Sequence, residues 1–215
     1  MKNRKIESKR RYLYAFLIGT AIFITGFAIT YSVAYFEFQR VTNLQGPTSY
    51  QIFQDRLQYT FFGKDICEEN SFADISRDLN YQGRIIGDME TKFGKDDEGV
   101  LFRKKFYTLI QLEHLEFVSI VNEECGKDRD IILFFYSNKK EYLEKSEKLG
   151  ELLGVIYQKN REDLALYSID LNLDSDILES LREKYGVENE PVIILNEDQR
   201  FTDIHNINEI EKLLN

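Results

Sequence analysis

The sequence predicts an α/β domain of order β-α-β-α-β-β-α, preceded by an N-terminal transmembrane helix and a small all-α helical subdomain. Three observations predict it. Residues 12–36 carry no charge; apolar residues recur at helical spacing between residues 48 and 126; and from Asp130 onward short apolar runs alternate with helical patterns. The boundaries that follow are a basic tail over 1–11, a transmembrane helix over 12–36, a juxtamembrane linker over 37–47, a helical subdomain over 48–126 and the α/β domain over 130–215.

Charge sorts the chain in the same way. Residues 1–11 carry six basic side chains against Glu7, so the net charge of -9 leaves about -14 for the residues after the uncharged run. An acidic portion of that size repels phosphate backbones, which excludes nucleic acid as the expected partner. The run Tyr12 to Phe36 has 25 residues, against the roughly 20 that cross a bilayer as a helix. Tyr12, Tyr14, Tyr31, Tyr35 and Phe36 lie near its ends, as interfacial aromatics do. Lys2, Arg4, Lys5, Lys9, Arg10 and Arg11 precede it and Glu37 and Arg40 follow, so the positive-inside rule places the N-terminus in the cytoplasm and the remainder of this single-pass chain outside the cell membrane. The rival reading is a cleaved signal peptide with Ser32-Val33-Ala34 as its small-residue site, although such cores span only about 7 to 15 residues. Gly19 and Gly26 fall on one helix face without a GxxxG pattern, so helix pairing in the bilayer has little support.

Past the membrane, the helix is expected to continue to Gly46-Pro47, which should stop it or bend it sharply. Thr48 or Ser49 then caps a helix with Phe53, Leu57 and Phe61 on one face and Gly63 near its end. A second helix starts at Asn70 or Ser71 and carries Phe72, Ile75, Leu79, Ile86, Met89 and Phe93 in a coiled-coil-like stripe interrupted by Gln82, closed by Gly94. Asp96 or Asp97 opens a third, with Phe102, Phe106, Leu109, Ile110, Phe117, Ile120 and Val121 as its apolar positions and Gly126 at its C-cap.

From Asp130, Ile131 to Tyr136 reads as a buried strand that breaks at Ser137-Asn138 into a helix from about Lys139 to Tyr157. Leu164 to Leu171 is a second strand. Asp174 or Ser175 caps a helix with Ile177, Leu178, Leu181 and Tyr185, closed by Gly186. Pro191 to Leu195 is a third strand, Asn196-Glu197-Asp198 a turn, Arg200 to Ile204 a fourth strand and Asn206 to Leu214 a last helix. The connections are expected as parallel crossovers followed by a hairpin.

Glu124-Cys-Gly126, Ile131 to Asn138 and Tyr185-Gly-Val-Glu-Asn-Glu-Pro-Val-Ile-Ile-Leu195, set in this element order, resemble the thioredoxin-like superfamily over residues 130–215, in particular membrane-anchored members from prokaryotes, archaea included. The resemblance implies a site at the turn after the first strand, next to a proline that opens the third and is usually cis in that superfamily, its neighbour presenting backbone to extended substrates. The residues at these places are Ser137, Asn138, Lys139, Tyr142, Glu190 and Pro191, a candidate binding site for another protein or a peptide. The turn departs from the family in holding no Cys-x-x-Cys. An attacking thiolate and a resolving thiol are both missing, and Ser137 has no histidine beside it in sequence to act as base, so no catalytic residue is assigned. Lys139 and Lys140 at a helix N-terminus oppose the macrodipole and could attract an acidic partner, though ordinary surface lysines explain them as well.

Cys67 and Cys125 are the only thiols. In an oxidising compartment they are expected to form one structural disulfide, the alternatives being a redox-active pair in a divergent thiol-disulfide oxidoreductase and unpaired or intermolecular thiols. His114 and His205 lack metal-ligand spacing, and Asp170, Asp174 and Asp176 lack an EF-hand pattern, so a solvated acidic loop is favoured over a weak calcium site; no metal or cofactor is expected. The expected partners are the lipid bilayer and a protein or peptide, with no oligomeric state assigned.

Overall fold

The computed structural model describes residues 2–62, 67, 71–204, 206 and 208–214. Gly63, Asn70 and His205 lie outside the described residues, as do the side chains of Lys2, Arg4, Lys5, Glu7, Glu37, Phe61 and Ser71. The elements in chain order are α1 (Lys2–Phe62), α2 (Ser71–Phe93), α3 (Glu98–Cys125), β1 (Asp130–Tyr136), α4 (Leu143–Asn160), β2 (Leu164–Asp170), α5 (Asp176–Tyr185), β3 (Val192–Leu195), β4 (Gln199–Phe201) and α6 (Asn208–Glu211). They divide into two compact units, Met1–Arg40 and Val41–Asn215.

The first unit belongs to one helix that is long and apolar enough to span a membrane. Its large apolar side chains, Phe16, Ile22, Phe23 and Phe27 among them, are exposed. Its hydroxyls turn inward on the backbone: Thr25 donates to Ala21 O at 2.8 Å, Thr30 to Gly26 O at 3.0 Å and Ser32 to Ala28 O at 2.8 Å. Satisfying polar groups within the helix is what hydrocarbon requires.

In the second unit, Gly46-Pro47 does not stop the helix, contrary to the expected break, and Pro47 lies inside α1. Pro47 removes one helical hydrogen bond and crowds the Asn43 carbonyl, a cost of about 3 kcal/mol. Packing on either side offsets it. Val41 and Ile52 are fully buried. Gln45 donates to Arg103 O at 3.2 Å, and the Thr48 hydroxyl donates to Leu44 O while accepting from Gln82 Nε2 at 3.0 Å. The inward face is Val41, Gln45, Thr48, Ile52 and Asp55, a four-three alternation, whereas the expected Phe53 is exposed.

The stripe of α2 lies as expected: Phe72, Ile75, Leu79, Ile86 and Met89 are buried, and Gln82, buried with them, is held by Thr48. α3 differs. Asp97 caps it by accepting from Val100 N at 3.0 Å, and Gly126 ends it at φ 58°, but Phe102, Phe106 and Leu109 face solvent. The buried face instead carries Lys104, Thr108, Gln111 and His114 beside Val100, Ile110, Phe117, Val118 and Val121. Lys104, Gln111 and His114 have found partners elsewhere in the chain and the Thr108 hydroxyl donates back to Lys104 O at 3.0 Å, none of which apolar periodicity registers.

The four strands form one mixed sheet of order β2-β1-β3-β4. β1 and β2 pair in parallel across α4; β3 is antiparallel to β1, and β4 to β3. Only the first crossover is therefore parallel. α5 is about 15 Å long against about 23 Å for β2, and the register sets Val192 beside Phe135, at the sheet end where Tyr136 meets Asp170. The chain re-enters the sheet at the end it left and must run back. β3, β4 and α6 are each shorter than expected, α6 being a single turn.

Alternate residues of the strands point to opposite faces. Ile131, Leu133, Phe135, Tyr167 and Ile194 share a core with Ile52, Phe72, Ile110 and Val118 from the helical layer and Leu178 from α5. Ile132, Phe134, Leu164, Ile193 and Leu195 pack against Leu149, Leu153 and Ile156 of α4 and Ile210 of α6. One core thus runs through the helices and the sheet. The outer edge of β2 is closed by a side chain, since Gln111 donates to Ser168 O at 3.1 Å and accepts from Ser168 N at 2.7 Å, as a neighbouring strand would.

Candidate functional site

α4 begins at Leu143, four residues later than the pattern suggested, so Lys139 and Lys140 sit in the turn before it and the first helical turn carries Glu144, which suits the macrodipole. The turn is pinned by its own polar groups. Ser137 is fully buried, donates to Asn172 Oδ1 at 3.3 Å and takes a hydrogen bond on its carbonyl from the Ser146 hydroxyl at 2.8 Å. Asn138 N donates to Asn172 Oδ1 at 2.6 Å. Tyr142 stands half-buried at the N-cap, without a side-chain capping bond.

Two links join this turn to the loop before β3. Lys139 donates to Asn189 Oδ1 at 2.8 Å, and Lys145 pairs with Glu190 at 2.5 Å. Pro191 is buried at the start of β3, and among the described residues every peptide bond is trans, including the one preceding Pro191, where the family resemblance implied cis. Trans is the more stable isomer of X-Pro generally. Ser137, Asn138, Lys139, Glu190 and Pro191 thus gather at one end of the sheet.

The side chain of Asn138 leads below the surface, to an ionic cluster that sequence patterns did not reveal. Lys104 of α3 is 3% exposed; its ammonium donates to Glu90 Oε1 of α2 at 2.5 Å and to Asp170 Oδ2 at the end of β2. Asn138 Nδ2 donates to the same two carboxylates, at 2.9 Å to Asp170 and 3.4 Å to Glu90, and its Oδ1 accepts from Lys95 at 3.0 Å. Asp170 Oδ1 accepts from Asn172 N at 2.8 Å. Burial alone would lower the Lys104 pKa, but Tyr136, Asp170 and Glu90 outweigh it and hold the ammonium above the ordinary lysine value. Burial raises the phenols of Tyr136 and Tyr107, which therefore stay neutral around it. Asp170 belongs to this cluster, while Asp174 and Asp176 are exposed.

A cavity of about 530 Å³ opens onto the cluster, bounded by α2 on one side, α4 on the other and the β1–β2 pair beneath, with Phe134, Tyr136, Leu166 and Asp170 among its lining residues. A volume of this size is within the range of small-molecule sites, and its walls mix apolar side chains with six charged ones, Arg84, Glu90, Lys95, Lys104, Glu147 and Asp170. Of the residues expected at the site, Asn138 alone lines it. The one sequence signal for Lys104 was its place in the run Val100, Lys104, Thr108, Gln111, His114, which shares a helix face too polar to read as core.

Cys67 and Cys125 form a disulfide, with S–S 2.10 Å and Cα–Cα 5.3 Å. It sits at the far end of α3 from Lys104, 21 residues away in the helix or about 30 Å at the α-helical rise. His114, between them, is fully buried, stacked on Phe72 and bonded through Nδ1 to the Tyr167 hydroxyl at 2.9 Å. Its Nε2 has no hydrogen-bond partner among the described residues. Burial, assisted by Arg129, pushes its pKa down to about 3, so it is a neutral core histidine. Comparison of the chain with protein-family models, with characterised proteins and with solved structures finds no match.

Proposed function

We propose that the chain is a membrane-anchored, extracytoplasmic binding module with a thioredoxin-like fold and no thiol-disulfide activity. Residues 12–36 anchor it in the cell membrane, the basic tail stays in the cytoplasm, and residues 37–215 bind a protein, a peptide or a smaller ligand. The order β1-α4-β2-α5-β3-β4-α6, a β-α-β unit followed by a hairpin, supports the fold assignment. One observation carries the functional reading: at the β1–α4 turn, where the family keeps its thiols, Asn138 is committed to the buried Lys104–Asp170–Glu90 cluster. The only disulfide lies about 30 Å away along α3.

Thiol exchange needs a thiolate in contact with its substrate's disulfide, and this turn offers a serine, an amide and two ammonium groups. The full chain in detergent should not accelerate reduction of a protein disulfide by dithiothreitol. Substantial turnover that disappears in the Cys67→Ser variant would overturn the proposal and make the chain a divergent oxidoreductase. Fusing a phosphatase reporter that is active only outside the cytoplasm to the C-terminus tests the orientation; an inactive fusion would reverse it.

A further inference from the structure

We propose that the cavity between α2 and α4 binds a small organic cation, an amine carrying a compact apolar body. This rests on the binding-module reading and gives its ligand a chemistry. The walls of the cavity withhold side chains at four places. Gly83 and Gly87 stand one turn apart on α2, Gly150 and Gly154 one turn apart on α4, and all four line the cavity. Glycine is the least favourable residue in a helix interior after proline. At Gly83 packing demands it, since a Cβ would meet the Tyr107 hydroxyl at 2.8 Å. At Gly87 and Gly154 a Cβ would meet no atom within 4 Å, so close packing does not require glycine there. A large side chain at either position would narrow the cavity that both line.

The deep end holds two carboxylates, Glu90 and Asp170, against one ammonium, Lys104. Lys104 directs hydrogens to both carboxylates and lies 5.3 Å from the Tyr136 ring centroid, so it has little left to offer an anion. Glu90 binds Lys104 and Asn138 through Oε1 alone, and its Oε2 accepts from no protein group among the described residues. The cluster thus offers an incoming cation the free Glu90 Oε2, while Asn138 Oδ1, which accepts from Lys95, brings one more ammonium to its outer side. Arg84, Lys95 and Glu147 also line the cavity, but each is partly or largely open to water, which screens it. The apolar body lies over Phe134 and Leu166.

The chain has no tryptophan, so indole probes can be excited beyond the tyrosine band and followed directly. The full chain in detergent is titrated with tryptamine and with two related probes, neutral tryptophol and anionic indole-3-propionate, and with 4-phenylbutylamine and cyclohexylethylamine as competitors. Saturable binding of tryptamine, displaced by a second amine and at least about tenfold tighter than indole-3-propionate, is expected; about tenfold is the loss associated with one charge-assisted hydrogen bond. Glu90→Gln should weaken tryptamine by about the same factor and abolish its advantage over tryptophol. Gly87→Leu and Gly154→Leu should abolish saturation without lowering the thermal midpoint, because they exchange helical glycine for a good helix former. Failure of all three amines to bind, equal binding of the anion, or unchanged affinity in both leucine variants at full stability would overturn the proposal. Disulfide turnover would remove the parent reading instead, and the titrations would not detect it.

Discussion

β1 and the buried face of α3 contribute to one core and are buried for opposite reasons. β1 is Asp-Ile-Ile-Leu-Phe-Phe-Tyr, and removing its apolar area from water suffices to bury it. α3 buries Lys104, Gln111 and His114, each of which would be costly alone and is held by a distant group: Asp170 for Lys104, Ser168 for Gln111, Tyr167 for His114. All three partners stand on β2. Apolar burial tolerates adjustment, whereas a buried polar face fails when one partner is lost, and the candidate site is built on the second kind of surface.

The largest effect expected from this contrast is at Lys104. Lys104→Ala leaves Asp170 and Glu90 buried without their counter-ion and should cost about 3–5 kcal/mol in denaturant unfolding. Phe135→Ala in β1 should cost a similar amount, about 3–5 kcal/mol, through a cavity. The two separate when the partners are replaced too: Lys104→Met with Asp170→Leu and Glu90→Gln should recover much of the Lys104→Ala loss, since apolar pairs of similar volume substitute well for buried ions. No recovery would mean that the cluster's charges are not the source of the loss.

His114 provides the next test through pH. Its folded pKa, about 3, lies below the ordinary value near 6.5, so its contribution is complete above pH 6.5, where neither state binds the proton. Between 6.5 and 3 only the unfolded chain takes up the proton, and each pH unit of acidification should cost up to about 1.4 kcal/mol. A His114→Gln variant should lack that share of the slope; identical slopes would show that His114 is protonated when folded. Gln111→Ala, which uncovers the Ser168 N–H and C=O on the β2 edge, should cost about 1–3 kcal/mol, and a variant of wild-type stability would mean that water closes the edge equally well. Phe102→Ser, on the outer face of α3, should change stability by no more than about 0.5 kcal/mol despite its bulk.

These differences explain what could be read in the sequence. The strands, the α2 stripe, the Asp97 and Gly126 caps and the apolar N-terminal helix follow from local pattern, and the structure has them. On α3, Ile110, Phe117 and Val121 are buried as expected, but Phe102, Phe106 and Leu109 were misassigned because they carry a strong apolar signal, while the polar inward positions are defined by partners 53 to 66 residues away. Pro47 reads as a break because local chemistry says so; its tolerance comes from Gln82 and Arg103, far along the chain. At the site, Asn138 was legible as part of a turn, but its role in an ionic cluster was not, since Glu90, Lys104 and Asp170 come from three separate elements.

The central claim is that the chain's single disulfide is structural and its sheet-end site performs no thiol chemistry. Thiol trapping followed by mass spectrometry of the full chain, equilibrated in glutathione buffers from oxidising to cytosol-like poise, tests it most directly. The Cys67–Cys125 bond is predicted to stay oxidised across the series. A bond that equilibrates with the buffer within minutes, giving free Cys67 and Cys125 in proportion to the poise, would contradict it.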